Sequence, residues 1–266
     1  MTSQQRDLKL FSSASQEAAR LGGDILLKWL GKITVQEKGF RDLVTQADFE
    51  SQEVIREFLN REFPQHQFVG EESLDEPDSQ TSSEYCWIVD PLDGTTNYVH
   101  QLRSFAVSVA LCLNNSALVG TVFDPVLDEC YSAILGQGAT LNGRPIQSSG
   151  CQEISKSLFV SSFARQTKRC DPDVERFLNM LENAGSIRRL GSAALNLCYV
   201  ACGRLDGYWA TSLSKWDVAA GWLIAIEAGA HLADFSGAVP NLENPRFCVT
   251  ATPELFAQVQ PLLNNQ

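Results

Sequence analysis

Apolar positions in the first third of the chain recur at helical spacing in two stretches. Between residues 7 and 30 they recur every three or four positions, and Gly31 then closes the pattern. A second stretch with this spacing runs from 45 to 63 and stops before Pro64, which disfavours a helical residue in front of it. The pattern therefore predicts two helices, at 7–30 and 45–63.

Shorter apolar runs follow, and their length and composition predict strands. Two runs of this kind flank Asn114-Asn115-Ser116 and indicate a hairpin, and Asn142-Gly143 marks another tight turn. An acidic, Ser-rich surface loop separates the first two runs. The strands predicted in this half of the chain are 66–69, 85–89, 105–113, 117–123 and 130–135.

The second half alternates more regularly between strand and helix patterns. Gly203 and Gly229 end two of its helices, and Thr252-Pro253 opens the last one as the N-cap and first helical residue. The predicted strands are 157–161, 187–190, 207–210, 230–235 and 247–251, and the predicted helices before the last are 173–184, 192–202 and 218–228. This alternation predicts an α/β or α+β fold rather than an all-β fold or a helical bundle. We place a lobe boundary near 145–150, which divides the chain into lobes 1–146 and 147–266.

Composition and charge narrow the class of protein. The 266 residues are 44% apolar, which suffices for one large core or two closely packed lobes. No apolar run approaches the roughly 20 residues of a membrane span, and the N-terminus lacks the pattern of a signal peptide. A net charge of −11 argues against nucleic-acid binding. The eight cysteines form no C-x-x-C pair, so we expect reduced thiols in a cytoplasmic protein, with a disulfide framework as the alternative.

The segment Trp87-Ile88-Val89-Asp90-Pro91-Leu92-Asp93-Gly94-Thr95-Thr96-Asn97 joins an apolar run to a polar turn. Asp and Pro followed by Gly are typical of an ordinary β-turn. Alternatively, the turn brings the carboxylates of Asp90 and Asp93 together, which is unfavourable unless a proton or a cation neutralises them. Oxygen ligands of this kind suit Mg²⁺ or Mn²⁺, and the N–H groups that follow could bind a phosphate.

Four other segments each have a structural and a functional interpretation. Glu71 follows a strand, where it begins either a solvated loop or the wall of a cleft. Asp48 lies three residues after Thr45, as in a helix capping box, and Asp217 is a natural N-cap of the helix 218–228. The small residues at 191–194 allow either close packing or an anion site at a helix start. Capping and packing explain each segment alone, but they do not predict that all of them occur in one short chain.

Taken together, the motifs G-E-E (70–72), W-I-V-D-P-L-D-G-T-T-N (87–97) and W-D-V-A-A-G (216–221) resemble the inositol monophosphatase family of Mg²⁺-dependent, Li⁺-sensitive phosphatases. The preceding D-L-V-T-Q-A-D segment (42–48) fits the same pattern, and the likeness covers nearly the whole chain. The resemblance implies a layered αβαβα sandwich, homodimer formation and hydrolysis of a small-molecule phosphate ester.

The resemblance also implies the roles of individual residues. One Mg²⁺ would be held by Glu71, Asp90 and the Leu92 carbonyl, and a second by Asp90, Asp93 and Asp217, with Glu71 assisting a weaker third. Asp48 and Thr95, with Glu71, would form the catalytic set that positions and deprotonates the attacking water. The substrate-binding residues would be Asp93, Gly94, Thr95, Gly191, Ser192, Ala193 and Asp217.

One position departs from the inositol-specific pattern. Those relatives carry a Glu that contacts sugar hydroxyls where this chain has Ala210. Inositol 1-phosphate remains the default substrate, and histidinol phosphate, a 3′-phosphoadenosine nucleotide or a sugar phosphate are alternatives. A further hypothesis places the basic loop 163–169 on the alcohol side of the site. From another class, a regulatory role with the transcription machinery also fits the resemblance.

Overall fold

The computed structural model describes residues 3–32, 35–39, 42–72, 83–164 and 166–264. The helices within these ranges are α1 (Ser3–Trp29), α2 (Gln46–Glu62), α3 (Thr95–Val99), α4 (Pro172–Asn183), α5 (Ala193–Ala201), α6 (Lys215–Glu227) and α7 (Pro253–Asn264). The helices predicted at 7–30 and 45–63 are confirmed as α1 and α2. The predicted capping box is also present, because the Thr45 and Asp48 side chains each bond the other residue's backbone.

The strands are β1 (Val35–Gly39), β2 (Asp42–Thr45), β3 (Gln67–Gly70), β4 (Tyr85–Asp93), β5 (Ala106–Leu113), β6 (Ser116–Asp124), β7 (Glu129–Ile134), β8 (Ala139–Leu141), β9 (Arg144–Pro145), β10 (Leu158–Ser162), β11 (Ser186–Arg188), β12 (Gly207–Ala210), β13 (His231–Ala233) and β14 (Phe247–Thr250). Strands β3 to β9 form one sheet in sequence order, and a second sheet has the order β11-β10-β12-β14-β13. The antiparallel pair β1–β2 was missed by the sequence prediction.

Strand β4 differs from its prediction at the end that carries the acidic motif. We predicted a strand at 85–89 and a separate β-turn, but β4 continues to Asp93. Its pairing with β5 shifts register between Asp90, which faces Ser108, and Asp93, which faces Ala106. The motif is therefore the bulged end of a strand rather than a separate turn. Residues 90–93 have the composition of a turn, but hydrogen bonding to β5 keeps them in the sheet.

Helix α6 begins three residues earlier than predicted. Its N-cap is Ser214, and Asp217 is the third helical residue, so the prediction of Asp217 as N-cap was wrong. The two residues form a capping box in which the Asp217 carboxylate accepts a hydrogen bond from the Ser214 N–H at 2.6 Å. The carboxylate therefore projects from within the first turn of α6.

Three apolar clusters define five layers. Helices α1 and α2 pack on one face of the seven-stranded sheet, through residues such as Leu26 and Ile55 against Trp87 and Val107. Helices α5 and α6 fill the space between the two sheets. Helices α4 and α7 cover the outer face of the five-stranded sheet, around Trp209. This is the predicted αβαβα sandwich, whereas the division into lobes 1–146 and 147–266 stays a prediction.

Crossing a bilayer requires a long and apolar helix, and none of the helices in the described part of the chain meets both conditions. The eight cysteines are all free thiols.

Candidate active site

The bulged end of β4 places Asp90 and Asp93 at one end of the seven-stranded sheet. Asp90 accepts the N–H of Leu92 on Oδ1 at 3.0 Å, which fixes its carboxylate within the bulge. Gly94 follows with φ +96° and caps α3. A Cβ on Gly94 would lie 3.0 Å from the Ser104 carbonyl oxygen, so glycine permits both this conformation and the close approach.

Asp93 reaches across to the N-terminus of α5. Its carboxylate accepts the N–H groups of Ala193 at 3.1 Å and Ala194 at 2.8 Å, and the hydroxyl of Ser192. Unpaired N–H groups and the dipole of a helix N-terminus stabilise an anion. Close packing and an anion site were the two alternatives for residues 191–194, and in the structure the carboxylate of Asp93 accepts the N–H groups of two of them.

Asp217 enters from α6 and completes a cluster of three acids. One carboxylate oxygen from each of Asp90, Asp93 and Asp217 lies within 4.8 Å of the others. Asp90 and Asp93 are buried, and Asp217 is half-buried. The bulge of β4 and the first turn of α6 thus bring together residues that are more than 120 positions apart in the sequence.

The proximity of these acids disfavours their ionisation. Burial, followed by the charges of Glu71, Asp93 and Asp217, raises the pKa of Asp90 well above its usual range. Burial and the charge of Asp217 raise the pKa of Asp93 to about 7, although the bonds from Ser192, Ala193 and Ala194 oppose the shift. A bound cation would relieve the repulsion between these carboxylates. Their oxygen atoms are hard donors, which are the ligands that Mg²⁺ and Mn²⁺ prefer.

Three further predicted residues lie around this cluster. Glu71 is half-buried in the turn after β3, and its N–H bonds to the carbonyl of Val89, one residue before Asp90. The Thr95 hydroxyl lies 3.1 Å from the Leu92 carbonyl oxygen and 3.5 Å from Oδ1 of Asp48. Oδ2 of Asp48 accepts the N–H and hydroxyl of Thr45 at 2.8 and 2.6 Å. The capping box of α2 thereby holds Asp48 beside Thr95.

A cleft of about 900 Å³ opens over these groups. Its lining includes the acids Glu71, Asp90, Asp93 and Asp217. Leu92, Gly94, Thr95, Gly191 and Ala193, all predicted site residues, also line the cleft. Ser192 is fully buried and contacts Asp93. The structure therefore brings the predicted residues around one cavity, with Asp48 and Ser192 supporting residues that line it.

The cleft is also lined by residues that the sequence analysis did not identify as site residues. They are Ser162, Arg189, Thr211, Ser212, Leu213, Ser214, Trp216 and Asn244. From the basic loop 163–169, Phe163 and Gln166 line the cleft, while Arg165 lies outside the described residues. Ala210 is fully buried at the end of β12. These residues come from several separate segments, and of them only Trp216 lies in one of the quoted motifs, W-D-V-A-A-G (216–221).

The family model described as the inositol monophosphatase family matches residues 7–265. The chain belongs to the inositol monophosphatase family. Members of this family are phosphatases, and the protein is accordingly a phosphatase.

Three relatives show the extent of the similarity. The chain is 37% identical to an inositol-1-monophosphatase of Synechocystis, over 95% of this chain and 93% of the relative. It is 35% identical to the Nus factor SuhB of Pasteurella multocida, over 94% and 95% of the two chains. The solved structure of an inositol monophosphatase from Anabaena superposes with a TM-score of 0.86 at 38% identity, and covers 97% of this chain and 96% of its own.

Two more distant solved structures contain ions. One is an IMPase/NADP phosphatase complexed with Mg²⁺ and phosphate, which has a TM-score of 0.82 at 24% identity and shows the common fold alone. The other is a LiCl-soaked inhibitory complex of staphylococcal inositol monophosphatase-1, with a TM-score of 0.82 at 26% identity.

Proposed function

We propose that the protein is a Mg²⁺-dependent phosphomonoesterase in which water attacks the phosphorus of a small-molecule phosphate ester directly. The observation that carries this proposal is the convergence of Asp90, Asp93 and Asp217 within 4.8 Å in the lining of the cleft. Acids at this spacing are unfavourable unless a proton or a cation neutralises them, and a cation also supplies the positive charge that a phosphate ester needs to approach them.

We assign the metal ligands to Glu71, Asp90, the Leu92 carbonyl, Asp93 and Asp217, for two to three Mg²⁺ ions. Mn²⁺ would suit the same oxygen donors. When bound, the ions neutralise the phosphate oxygens, lower the pKa of a water and stabilise the leaving alkoxide. Thr95 and Asp48, together with Glu71, are proposed to act on the attacking water. If the Thr95 hydroxyl donates to Asp48, its oxygen lone pairs can accept a hydrogen bond from that water and orient it.

Substrate binding is proposed at two places around the acids. The N–H groups of Gly94 and Thr95, at the start of α3, would bind the phosphate. Gly191 and Ala193 line the cleft and would contact the alcohol, with Ser192 behind them. Because the Ala193 N–H already bonds to Asp93, we assign its substrate contact to the rest of the residue. Asp93 and Asp217 would contact the ester as well as the metal.

The proposed site residues indicate a phosphate ester more specifically than they indicate which alcohol it carries. Inositol 1-phosphate is our default, supported by relatives named as inositol monophosphatases. The buried Ala210 offers no side-chain acceptor for a polyol. Histidinol phosphate, a 3′-phosphoadenosine nucleotide and a sugar phosphate are therefore the alternatives within the same chemistry.

A phosphate-release panel over these esters, each with millimolar Mg²⁺ and with EDTA, tests the proposal. We expect release from at least one ester with Mg²⁺ and none with EDTA. Lithium at millimolar concentration should inhibit the active reaction. If no monoester is hydrolysed at millimolar Mg²⁺, the proposed activity is wrong.

A second candidate function is regulatory binding to the transcription machinery. The observation that favours it is the similarity to relatives named Nus factor SuhB. Substitution Asp93→Asn separates the two functions in cells, because it removes a proposed metal ligand and leaves the outer surface intact. A binding protein would keep its cellular role in this variant, whereas an enzyme would lose that role together with its turnover.

We also propose that the protein is a homodimer in the cytoplasm, as the family resemblance implies. Light scattering on the eluate of a size-exclusion column measures the mass directly and would show about twice the 29.3 kDa of one chain.

A further inference from the structure

Arg189 differs from the other charged groups around the cleft. Of the described residues that line it, four are carboxylic acids, namely Glu71, Asp90, Asp93 and Asp217, and Arg189 is the one cation. The other described lining residues are uncharged; some, such as Ser162 and Asn244, offer hydroxyl and amide groups, and others, such as Leu213 and Trp216, are apolar. Arg189 is thus the one positively charged group that the described lining offers to an anionic ligand.

The Arg189 side chain is held by an aromatic support. Its guanidinium lies 4.7 Å from the ring centroid of Phe163, a cation–π arrangement. Phe163 in turn packs edge-on against Phe177 of α4, with ring centroids 5.4 Å apart. Within the described residues no carboxylate forms an ion pair with Arg189, so its charge is compensated only by the ring and by solvent. An exposed guanidinium on a rigid platform can offer its N–H fork to a ligand.

The backbone next to Arg189 is tied to the catalytic side of the cleft. The Leu190 carbonyl accepts the Asn97 amide at 2.7 Å, and the same amide nitrogen donates to the Ser104 carbonyl at 2.7 Å. Gly191 has φ +88°, and a Cβ there would lie 2.8 Å from the Asn97 amide. Two residues after Leu190, Ser192 bonds to Asp93. Arg189 is therefore positioned relative to the proposed metal ligands by contacts on both sides of residue 190.

We propose that Arg189 binds a second anionic group, a phosphate, on the alcohol part of the substrate. This inference rests on the proposed phosphatase function and, among the proposed substrates, favours those that carry a second phosphate over the default inositol 1-phosphate. A guanidinium matches phosphate oxygens with two parallel hydrogen bonds, whereas a neutral polyol gains less from it. At position 210 the chain carries a buried alanine and therefore no side-chain carboxylate that would repel such a group. A cleft of about 900 Å³ accommodates a bisphosphate of sugar or nucleoside size.

The test compares two pairs of substrates that differ only in the second phosphate: fructose 1,6-bisphosphate with fructose 1-phosphate, and adenosine 3′,5′-bisphosphate with adenosine 3′-phosphate. In the wild type we expect kcat/KM for at least one bisphosphate to exceed that of its partner about tenfold or more. Arg189→Gln should lower this ratio about tenfold, mainly through KM, and Arg189→Lys should restore part of it.

Arg188→Gln is the matched control. Arg188 is exposed on β11, and its guanidinium bonds to Ser186 and to the Ile187 carbonyl rather than lining the cleft. This variant should keep the wild-type ratio. If Arg189→Gln and Arg188→Gln leave the ratio equally unchanged, or if the wild type prefers both monophosphates, the inference is overturned while the phosphatase function stands. If neither pair nor any other ester releases phosphate, the proposed function itself is wrong.

Discussion

Two strands of the same sheet have an Asp-Pro sequence at or near their end, and only one of them belongs to the site. Asp90-Pro91-Leu92 immediately precedes Asp93, the last residue of β4, and Pro125-Val126 follows Asp124, the last residue of β6. In both, the first Asp accepts on Oδ1 the N–H of the residue two positions later, at 3.0 and 2.9 Å. In both, the residue four positions after this Asp has a positive φ, +96° at Gly94 and +52° at Asp128. The two segments share this hydrogen bond and the positive φ, although β4 continues to Asp93 whereas β6 ends at Asp124 and a turn follows.

The difference lies in what each Asp meets. The segment after Asp124 turns back into β7, so that Asp124 pairs with Glu129. The third residue after Asp124 is Leu127, which is exposed. The segment after Asp90 has Asp93 at that position and leads into α3, while α5 and α6 bring their first turns to the acids. An Asp-Pro bend alone is therefore a structural motif. Its chemistry comes from the helix N-termini and the additional carboxylates that the fold places beside it.

The largest expected effect is the difference in kcat/KM between variants of Asp90 and of Asp124. Asp90→Asn should lower kcat/KM about 1000-fold or more, because a bound metal supplies several kcal/mol of transition-state stabilisation. Asp124→Asn, also a buried Asp in an Asp-Pro bend, should stay within about threefold of wild type, in the range of remote substitutions. Steady-state kinetics on any active ester measures both. Equal losses would show that the bend, rather than the metal cluster, matters.

The next effect concerns Thr95. It lies five residues after Asp90, and the residue five positions after Asp124 is Glu129. Thr95→Ala should lower kcat about 100-fold or more with a small change in KM, because it removes the hydroxyl proposed to orient the water. Thr95→Ser should recover most of the rate. Thr96→Ala, which removes the neighbouring hydroxyl and keeps the backbone N–H, is the control. A similar loss in Thr96→Ala would contradict the assignment.

Metal binding gives a stability effect that needs no substrate. At a Mg²⁺ concentration about 100-fold above its Kd the folded state should gain about 2.7 kcal/mol. For a chain of this size this corresponds to a rise in Tm of about 5–10 °C. Asp217→Asn should abolish most of the rise, measured by scanning calorimetry with Mg²⁺ and with EDTA.

Leu127 lies three residues after Asp124, as Asp93 lies three residues after Asp90. Leu127→Asp therefore gives the segment after Asp124 an acid at the same position, and this variant is the matched control. It should not increase the Mg²⁺-dependent rise, because among the described residues the acids close enough together to hold a metal ion are Asp90, Asp93 and Asp217, and Asp124 belongs to no such group. An additional stabilisation of this variant by Mg²⁺ would show that the local segment suffices to bind the ion.

The smallest effect is a pH dependence of stability at Asp124. Burial raises the pKa of this carboxyl above its usual 3.8, although the Leu127 and Val126 N–H groups oppose the shift. A folded-state pKa above the unfolded value stabilises the protein below pH 3.8, and this contribution is lost as the pH rises through the folded value. Asp124→Asn removes the ionisation, so its Tm relative to wild type should increase as the pH rises from about 4 towards neutrality. A constant difference in Tm would show that Asp124 titrates normally.

The parts of the molecule that the sequence predicted are those with local causes. Helical periodicity located α1 and α2, and Thr45 with Asp48 marked the start of α2, because a capping box needs only four consecutive residues. The acidic motif likewise identified Asp90 and Asp93 as candidate ligands. These signals are complete within one segment of chain.

The parts that were not predicted depend on partners distant in sequence. The extension of β4 to Asp93 requires the pairing with Ala106 in β5, and no turn signal within the motif reveals it. The bond from Ala193 to Asp93 joins residues 100 positions apart. Arg189 had no distinguishing neighbours in the sequence, because Phe163 and the cleft come to it only through the fold.

The single Asn97 amide, which bonds the carbonyls of both Ser104 and Leu190, has a consequence for how specificity can evolve. An insertion or deletion beside Leu190 would break this link and displace the Ser192 cap that holds Asp93. The length of this segment is therefore constrained, whereas the side chain at 189 takes no part in these two hydrogen bonds. New substrates should arise in this protein by exchanging single side chains on the wall, and grafted loops of other lengths should cost turnover on every substrate.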